Sequence, residues 1–213
     1  DVARVLTGAV EIDQTCASGL ALVDTYTIAD GAAKRLETPI YGWGSNDGGK
    51  LGNGGVNGIQ YLAAPVNNTI STMTGADQTQ LMDVAHISMG GNFGLLLTEA
   101  EGDVYSWGNN TYGQLGVNDG LSTVPGSTTV PVRVTDGQNV EKDAAENQIP
   151  YLTRMQYIQA GRLHSVSVNS GGFVYSWGEN SRGQIGNFTQ VNATYPSITG
   201  LDSYLSLRIN KAD

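Results

Sequence analysis

The sequence predicts an all-β fold built from repeated four-stranded units, and three observations carry that expectation. The chain of 213 residues holds 29 glycines and only 15% charged residues, a composition suited to short strands and tight turns rather than long helices. Its three tryptophans each open the same pattern of residues. Upstream of the second and third, apolar or β-branched residues alternate with others over strand-sized stretches, as half-buried strands require. A hydrophobic content of 39% is enough for a packed core.

Trp43, Trp107 and Trp177 are each followed by Gly44, Gly108 and Gly178, then by Asn46, Asn110 and Asn180, then by Gly49, Gly113 and Gly183. Each unit closes on Lys or Gln, an apolar residue and glycine: Lys50-Leu51-Gly52, Gln114-Leu115-Gly116 and Gln184-Ile185-Gly186. Such self-similarity marks a repeat architecture. Upstream, Val104-Tyr105-Ser106 matches Val174-Tyr175-Ser176, Gly102 matches Gly172, and Gly91 stands against Gly161. Leu95 to Thr98 and Ser165 to Val168 read as strands of hairpins that turn at 99–102 and 169–172, where glycine supplies the positive φ of a tight reversal. In the first copy Gly19 to Leu22 resembles that strand, and residues 24–39 insert an excursion before Trp43. The tryptophans lie 64 and 70 residues apart, more than the roughly 40–50 residues of a propeller blade. The surplus falls in the polar stretches 53–79 and 117–147, with further short strands legible at 81–88, 130–134 and 152–159. Each repeat therefore offers about four strands, or one blade.

The block from Ala160 through His164 to Val168, followed by Gly172 to Gly186, resembles a repeat of the regulator of chromosome condensation family. The middle copy fits almost as well. His164 stands where that family commonly has histidine, against Gly94 in the middle copy and Ser18 in the first. The resemblance implies a seven-bladed β-propeller, of which this chain supplies about three four-stranded blades with long loop insertions. The expected organisation is a single propeller segment over 1–213, with repeats at about 15–80, 81–150 and 151–213. Three blades do not close a ring, so further blades in the same or another chain are expected partners.

The charge of −9, with no basic run, disfavours nucleic acid as a partner. The apolar stretches are strand-sized, which argues against membrane insertion. Cys16 is the only cysteine; it cannot form an intrachain disulfide and reads as a small buried apolar side chain. His86 and His164 both fall on expected strands, His86 as a surface residue and His164 in a packing role, and neither suggests nucleophilic catalysis. No metal framework or phosphate loop is legible, so no cofactor is expected. Asn46-Asp47-Gly48 and Asn118-Asp119-Gly120 read as turns, and the repeated tryptophans as blade core.

What varies between copies is the insertions, and loops on a rigid scaffold are where recognition usually sits. Asn57, Tyr61, Asn118, Asp136, Glu141 and Asp143 are the candidate contacts. The leading expectation is a non-catalytic scaffold for protein or surface recognition in an extracellular, cell-surface or virion-associated assembly, with a cytoplasmic setting as the alternative. Two other readings stay open: guanine-nucleotide exchange on a small GTPase, which some relatives perform, and a propeller-type hydrolase or lyase, which would need carboxylates converging at the axis.

Overall fold

The computed structural model describes residues 6–23, 26–29, 32–35, 40–67, 83–117, 126–137, 141–142, 148–149 and 151–200. It contains three four-stranded antiparallel sheets. The first is built from β1 (Ala9–Gln14) and β2 (Ser18–Val23), then, beyond the small ribbon of β3 (Tyr26–Ala29) and β4 (Ala32–Arg35), from β5 (Ile40–Ser45) and β6 (Ile59–Pro65). The second comprises β7 (Val84–Met89), β8 (Phe93–Thr98), β9 (Val104–Asn109) and β10 (Ser127–Arg133). A two-residue ribbon, β11 (Glu141–Lys142) with β12 (Gln148–Ile149), precedes the third sheet. That sheet comprises β13 (Met155–Ala160), β14 (His164–Asn169), β15 (Val174–Gly178) and β16 (Ala193–Ile198). Each sheet runs in chain order from its first strand to its last, so each is one propeller blade.

Two apolar cores lie between the blades. Leu20, Ile40 and Leu51 of blade 1 meet Ile87, Leu96, Tyr105 and Trp107 of blade 2. Phe93, Leu95, Leu97 and Val104 of blade 2 meet Ile158, Tyr175 and Trp177 of blade 3. Blade 2 is covered on both faces, which is why β8 is apolar almost throughout (Phe93, Leu95, Leu96, Leu97) instead of alternating. Burying side chains of that size stabilises the stack by about 1.5–3 kcal/mol each.

Three sequence expectations are corrected here. Blade 1 begins at Ala9, ahead of the expected boundary near residue 15, because β1 pairs with β2. Its fourth strand, β6, runs inside the stretch 53–79 that reads as an insertion, and Tyr61 therefore sits on a strand. Cys16 is exposed rather than buried, since it stands at the tip of the turn joining β1 to β2, closed by a bond from Thr15 N to Ser18 O.

A fourth correction concerns register. The ladder pairs Phe93 with Gly108 and His164 with Gly178, so Phe93, not Gly94, is the counterpart of His164, and Gly90, not Gly91, that of Gly161. The cause is one additional residue in the β8–β9 turn: Leu97 pairs with Val104, whereas Val168 pairs with Val174. Blade 2 closes that turn with Thr98 N donating to Asp103 O, and blade 3 with Asn169 N donating to Phe173 O. The aromatic rings of Phe93 and His164 lie against Gly90 and Gly161, where a Cβ would approach them to 2.0 and 2.3 Å.

Candidate functional site

The repeated motif builds a joint between neighbouring blades. Trp107 Nε1 donates to the Lys50 carbonyl at 2.8 Å and Trp177 Nε1 to the Gln114 carbonyl at 2.9 Å. Each indole thus reaches back to the motif of the preceding blade. Glycines let it enter: a Cβ on Gly52 or Gly116 would lie 2.8 Å from the indole nitrogen, and both residues hold left-handed φ angles of 63° and 65°. Trp107 and Trp177 are fully buried, whereas Trp43, on blade 1, is half-buried. The motif asparagines shape the loop that follows. The side-chain oxygens of Asn46, Asn110 and Asn180 accept from the backbone N–H of Leu51, Leu115 and Ile185 at 2.9, 2.9 and 3.0 Å, holding the turn that the sequence suggests.

These motif loops, described over 46–58, 110–117 and 179–192, all follow the third strand of a blade and so emerge on one end of the stack. On that end large apolar side chains stand in solvent: Val56, Tyr112, Phe188 and Val191. Phe188 is 74% exposed and holds φ at 60°, a conformation costly for a bulky residue. Its loop is clamped from below by buried Asn180, whose Nδ2 donates to Asn187 Oδ1 at 3.1 Å and to the carbonyls of Thr189 and Val191 at 3.0 Å. Sequence reasoning passed over Phe188. The available signal was an isolated aromatic within a polar loop.

Of the expected contact residues, Asn57 is exposed and Tyr61 is 85% exposed. Asp136 is only 4% exposed and offers no contact surface. It lies three residues beyond the end of β10, where the chain packs inward through Val134 and Thr135 and pairs Thr135 with Tyr151. Glu141 lies on β11, and Asn118 and Asp143 fall outside the described residues.

Near that bridge, Arg133 binds Asp103 and lies 4.6 Å over the Tyr151 ring. Burial raises the Asp103 carboxyl above its usual range, with Arg133 opposing. Burial likewise raises the Tyr105 phenol, again opposed by Arg133. At the β13–β14 turn, burial lowers the His164 imidazole, with Glu179 opposing.

The first strands of the blades line the axis. Glu11, His86 and Tyr157 occupy equivalent positions, opposite Leu22, Leu97 and Val168. Asp13, Ser88 and Gln159 form the next layer, opposite Leu20, Leu95 and Val166. Asp13 Oδ2 accepts from Met89 N and from Ser88 Oγ, and Ser88 Oγ in turn accepts from Ala160 N and Gln159 Nε2. Among the described residues, no group of three His, Cys, Asp or Glu side chains is placed to hold a metal ion, and no helix is long and apolar enough to cross a membrane.

Four-stranded blades stacked about a polar axis and keyed by a buried indole define a β-propeller repeat protein. Residues 84–114 match one model, and residues 101–168 and 171–209 a second, both of the regulator of chromosome condensation (RCC1) repeat. The chain belongs to this family. It is 30% identical over 167 residues to the human E3 ubiquitin-protein ligase HERC2, covering 78% of this chain and 3% of that protein. It is 30% identical over 184 residues to the RCC1 domain-containing protein RUG3, mitochondrial, of Arabidopsis thaliana, covering 84% of this chain and 34% of that one. Human alsin is 37% identical over 108 residues, 50% of this chain and 6% of alsin. The chain thus spans a minor part of these relatives. Human WBSCR16 shares the fold, with a TM-score of 0.60 at 24% identity, over 90% of this chain and 41% of that one.

Proposed function

We propose that this chain is part of a propeller that recognises a protein partner through its motif-loop face, with Phe188 as an anchor. The carrying observation is Phe188 itself: an aromatic ring held in solvent, in a strained conformation, by a loop tied to a buried asparagine. Exposed aromatics on a rigid base are the residues that dominate binding energy in protein interfaces. Membership of the RCC1 family supports a binding or exchange-factor role over catalysis. Similarity to a mitochondrial protein and to a ubiquitin ligase favours an intracellular setting over the extracellular, cell-surface or virion one. The test is cross-linking capture of the partner, followed by affinity measurement with Phe188→Ala. Because the ring is exposed, the variant should keep its stability while affinity falls about thirtyfold or more, as expected at a hot spot. Unchanged affinity would place the interface elsewhere.

A second reading, guanine-nucleotide exchange on a small GTPase, draws its support from family membership. Release of a fluorescent guanine nucleotide from a GTPase panel tests it directly. Acceleration by wild type, abolished in Phe188→Ala, would join the two readings.

A further inference from the structure

We infer that the polar pocket on the first strands of the three blades is a binding site for an organic cation, an alkylguanidinium or alkylammonium group, separate from the motif-loop face. The pocket has a volume of about 240 Å³ and is bordered by Glu11, Asp13, His86, Ser88, Tyr157 and Gln159 from the first strands of three successive blades. Its polar groups are not equally engaged. Both oxygens of Asp13 are committed, Oδ2 to Met89 N and Ser88 Oγ, and Oδ1 to Gln14 N. Glu11 Oε2 accepts from Ile87 N at 3.1 Å, which fixes the carboxylate in place. Glu11 Oε1 faces His86 Nδ1 at 3.6 Å, too far for a hydrogen bond. Glu11 thus keeps one oxygen without a hydrogen bond, on a carboxylate that lines the cavity and is held by Ile87 N.

Among the described residues no lysine or arginine borders the cavity, so the two carboxylates give this part of it a negative potential. Tyr157 supplies the other half of a cation site. Its ring is half-exposed, stands 6.4 Å from the His86 ring, and is oriented by its hydroxyl donating to Gln159 Oε1 at 3.1 Å. A cation bound at Glu11 Oε1 would gain a charge-assisted hydrogen bond, and Tyr157, which lines the same cavity, offers an aromatic ring for a cation–π contact. Alkylguanidinium and alkylammonium groups are also the ends of arginine and lysine side chains, so the occupant is either a small free cation or a basic side chain of a protein.

The chain has two histidines, which makes the test specific. In ¹H–¹³C spectra of the full chain, the Cε1–H signal of His86 reports on the cavity, and that of His164, which does not border it, serves as an internal control. Titration with n-butylguanidinium should shift His86 saturably and leave His164 in place, while butyrate at equal ionic strength shifts neither. Glu11→Gln preserves an acceptor for Ile87 N and should weaken binding about tenfold, the worth of one hydrogen bond to a charged group. Tyr157→Leu should weaken it as well. A capped Ala-Arg-Ala peptide binding more tightly than butylguanidinium identifies a protein side chain as the occupant; equal or weaker binding identifies a free cation. The inference is overturned if His86 responds to butyrate as it does to butylguanidinium, if it does not respond to the cation at all, or if Glu11→Gln binds like wild type. A captured partner whose binding ignores Glu11→Gln would leave loop-face recognition standing.

Discussion

Replacing Trp107 by phenylalanine removes the indole N–H from the Lys50 carbonyl, a bond buried between blades 1 and 2. Two costs follow. The smaller ring leaves about 40 Å³ unfilled, worth about 1 kcal/mol at the measured dependence of stability on cavity volume. The stranded carbonyl adds about 1–3 kcal/mol, the penalty for a buried acceptor without a donor, for a total of about 2–4 kcal/mol. Trp177→Phe provides the control, because the Gln114 carbonyl also receives Ser165 Oγ at 2.9 Å and would keep that donor. Its cost should stay near 1 kcal/mol. Trp43→Phe, at a half-buried position, should cost less still. Urea unfolding followed by near-ultraviolet circular dichroism, with the slope compared between variants, gives all three values. Equal losses for Trp107→Phe and Trp177→Phe would refute the assignment of most of the cost to the stranded carbonyl.

The same geometry predicts a rescue. Gly94→Ser alone should destabilise, since its Cβ would lie 2.4 Å from the Trp107 ring, but it should cost less in the Trp107→Phe background, and a double-mutant cycle will measure the difference. Gly116→Ala combines a φ of 65° with a clash against Trp177 Nε1 and should lose at least about 1–2 kcal/mol in urea unfolding. Asn110→Ala removes the acceptor for Leu115 N and should cost about 1–3 kcal/mol by the same measurement. For His164 the folded value lies below 6.5 because burial disfavours the imidazolium. Its contribution to stability is therefore present above pH 6.5 and lost as pH falls through the folded value. His164→Asn should flatten that acidic decline; a slope identical to wild type would remove His164 from it.

Most of the blade framework was legible because its residues serve the backbone. Only glycine tolerates the left-handed turn beside the indole at Gly52 and Gly116, and only a short side chain with a carbonyl caps the turn as Asn46, Asn110 and Asn180 do. Strand order followed from the hairpins. Register across β8 and β9 did not: one extra turn residue shifts the upstream alignment of Phe93 without disturbing the motif around Trp107, so constant spacing misassigned it. The fourth strand β6 was hidden because its residues, among them Ile59, Tyr61 and Leu62, are largely exposed and show no alternation. Among the candidate contacts, Asp136 looked like a loop residue by composition, whereas it is buried beside Thr135, which pairs with Tyr151 far along the chain. Phe188 was missed because nothing repeats it, and repetition was the signal being read.

The indole bonds also give the stack a direction. Each blade contributes the key and its predecessor the lock, so damage at Gly52 or Lys50 is felt in the seat of Trp107, one blade onward, rather than in Trp43. Stability in such an array is a chain of neighbour terms, and here every term carries an arrow. Loss of blade 1 would expose the indole of Trp107 on blade 2, whereas loss of blade 3 would expose the Gln114 carbonyl on the opposite face of that blade, so the two breaks leave chemically different surfaces behind.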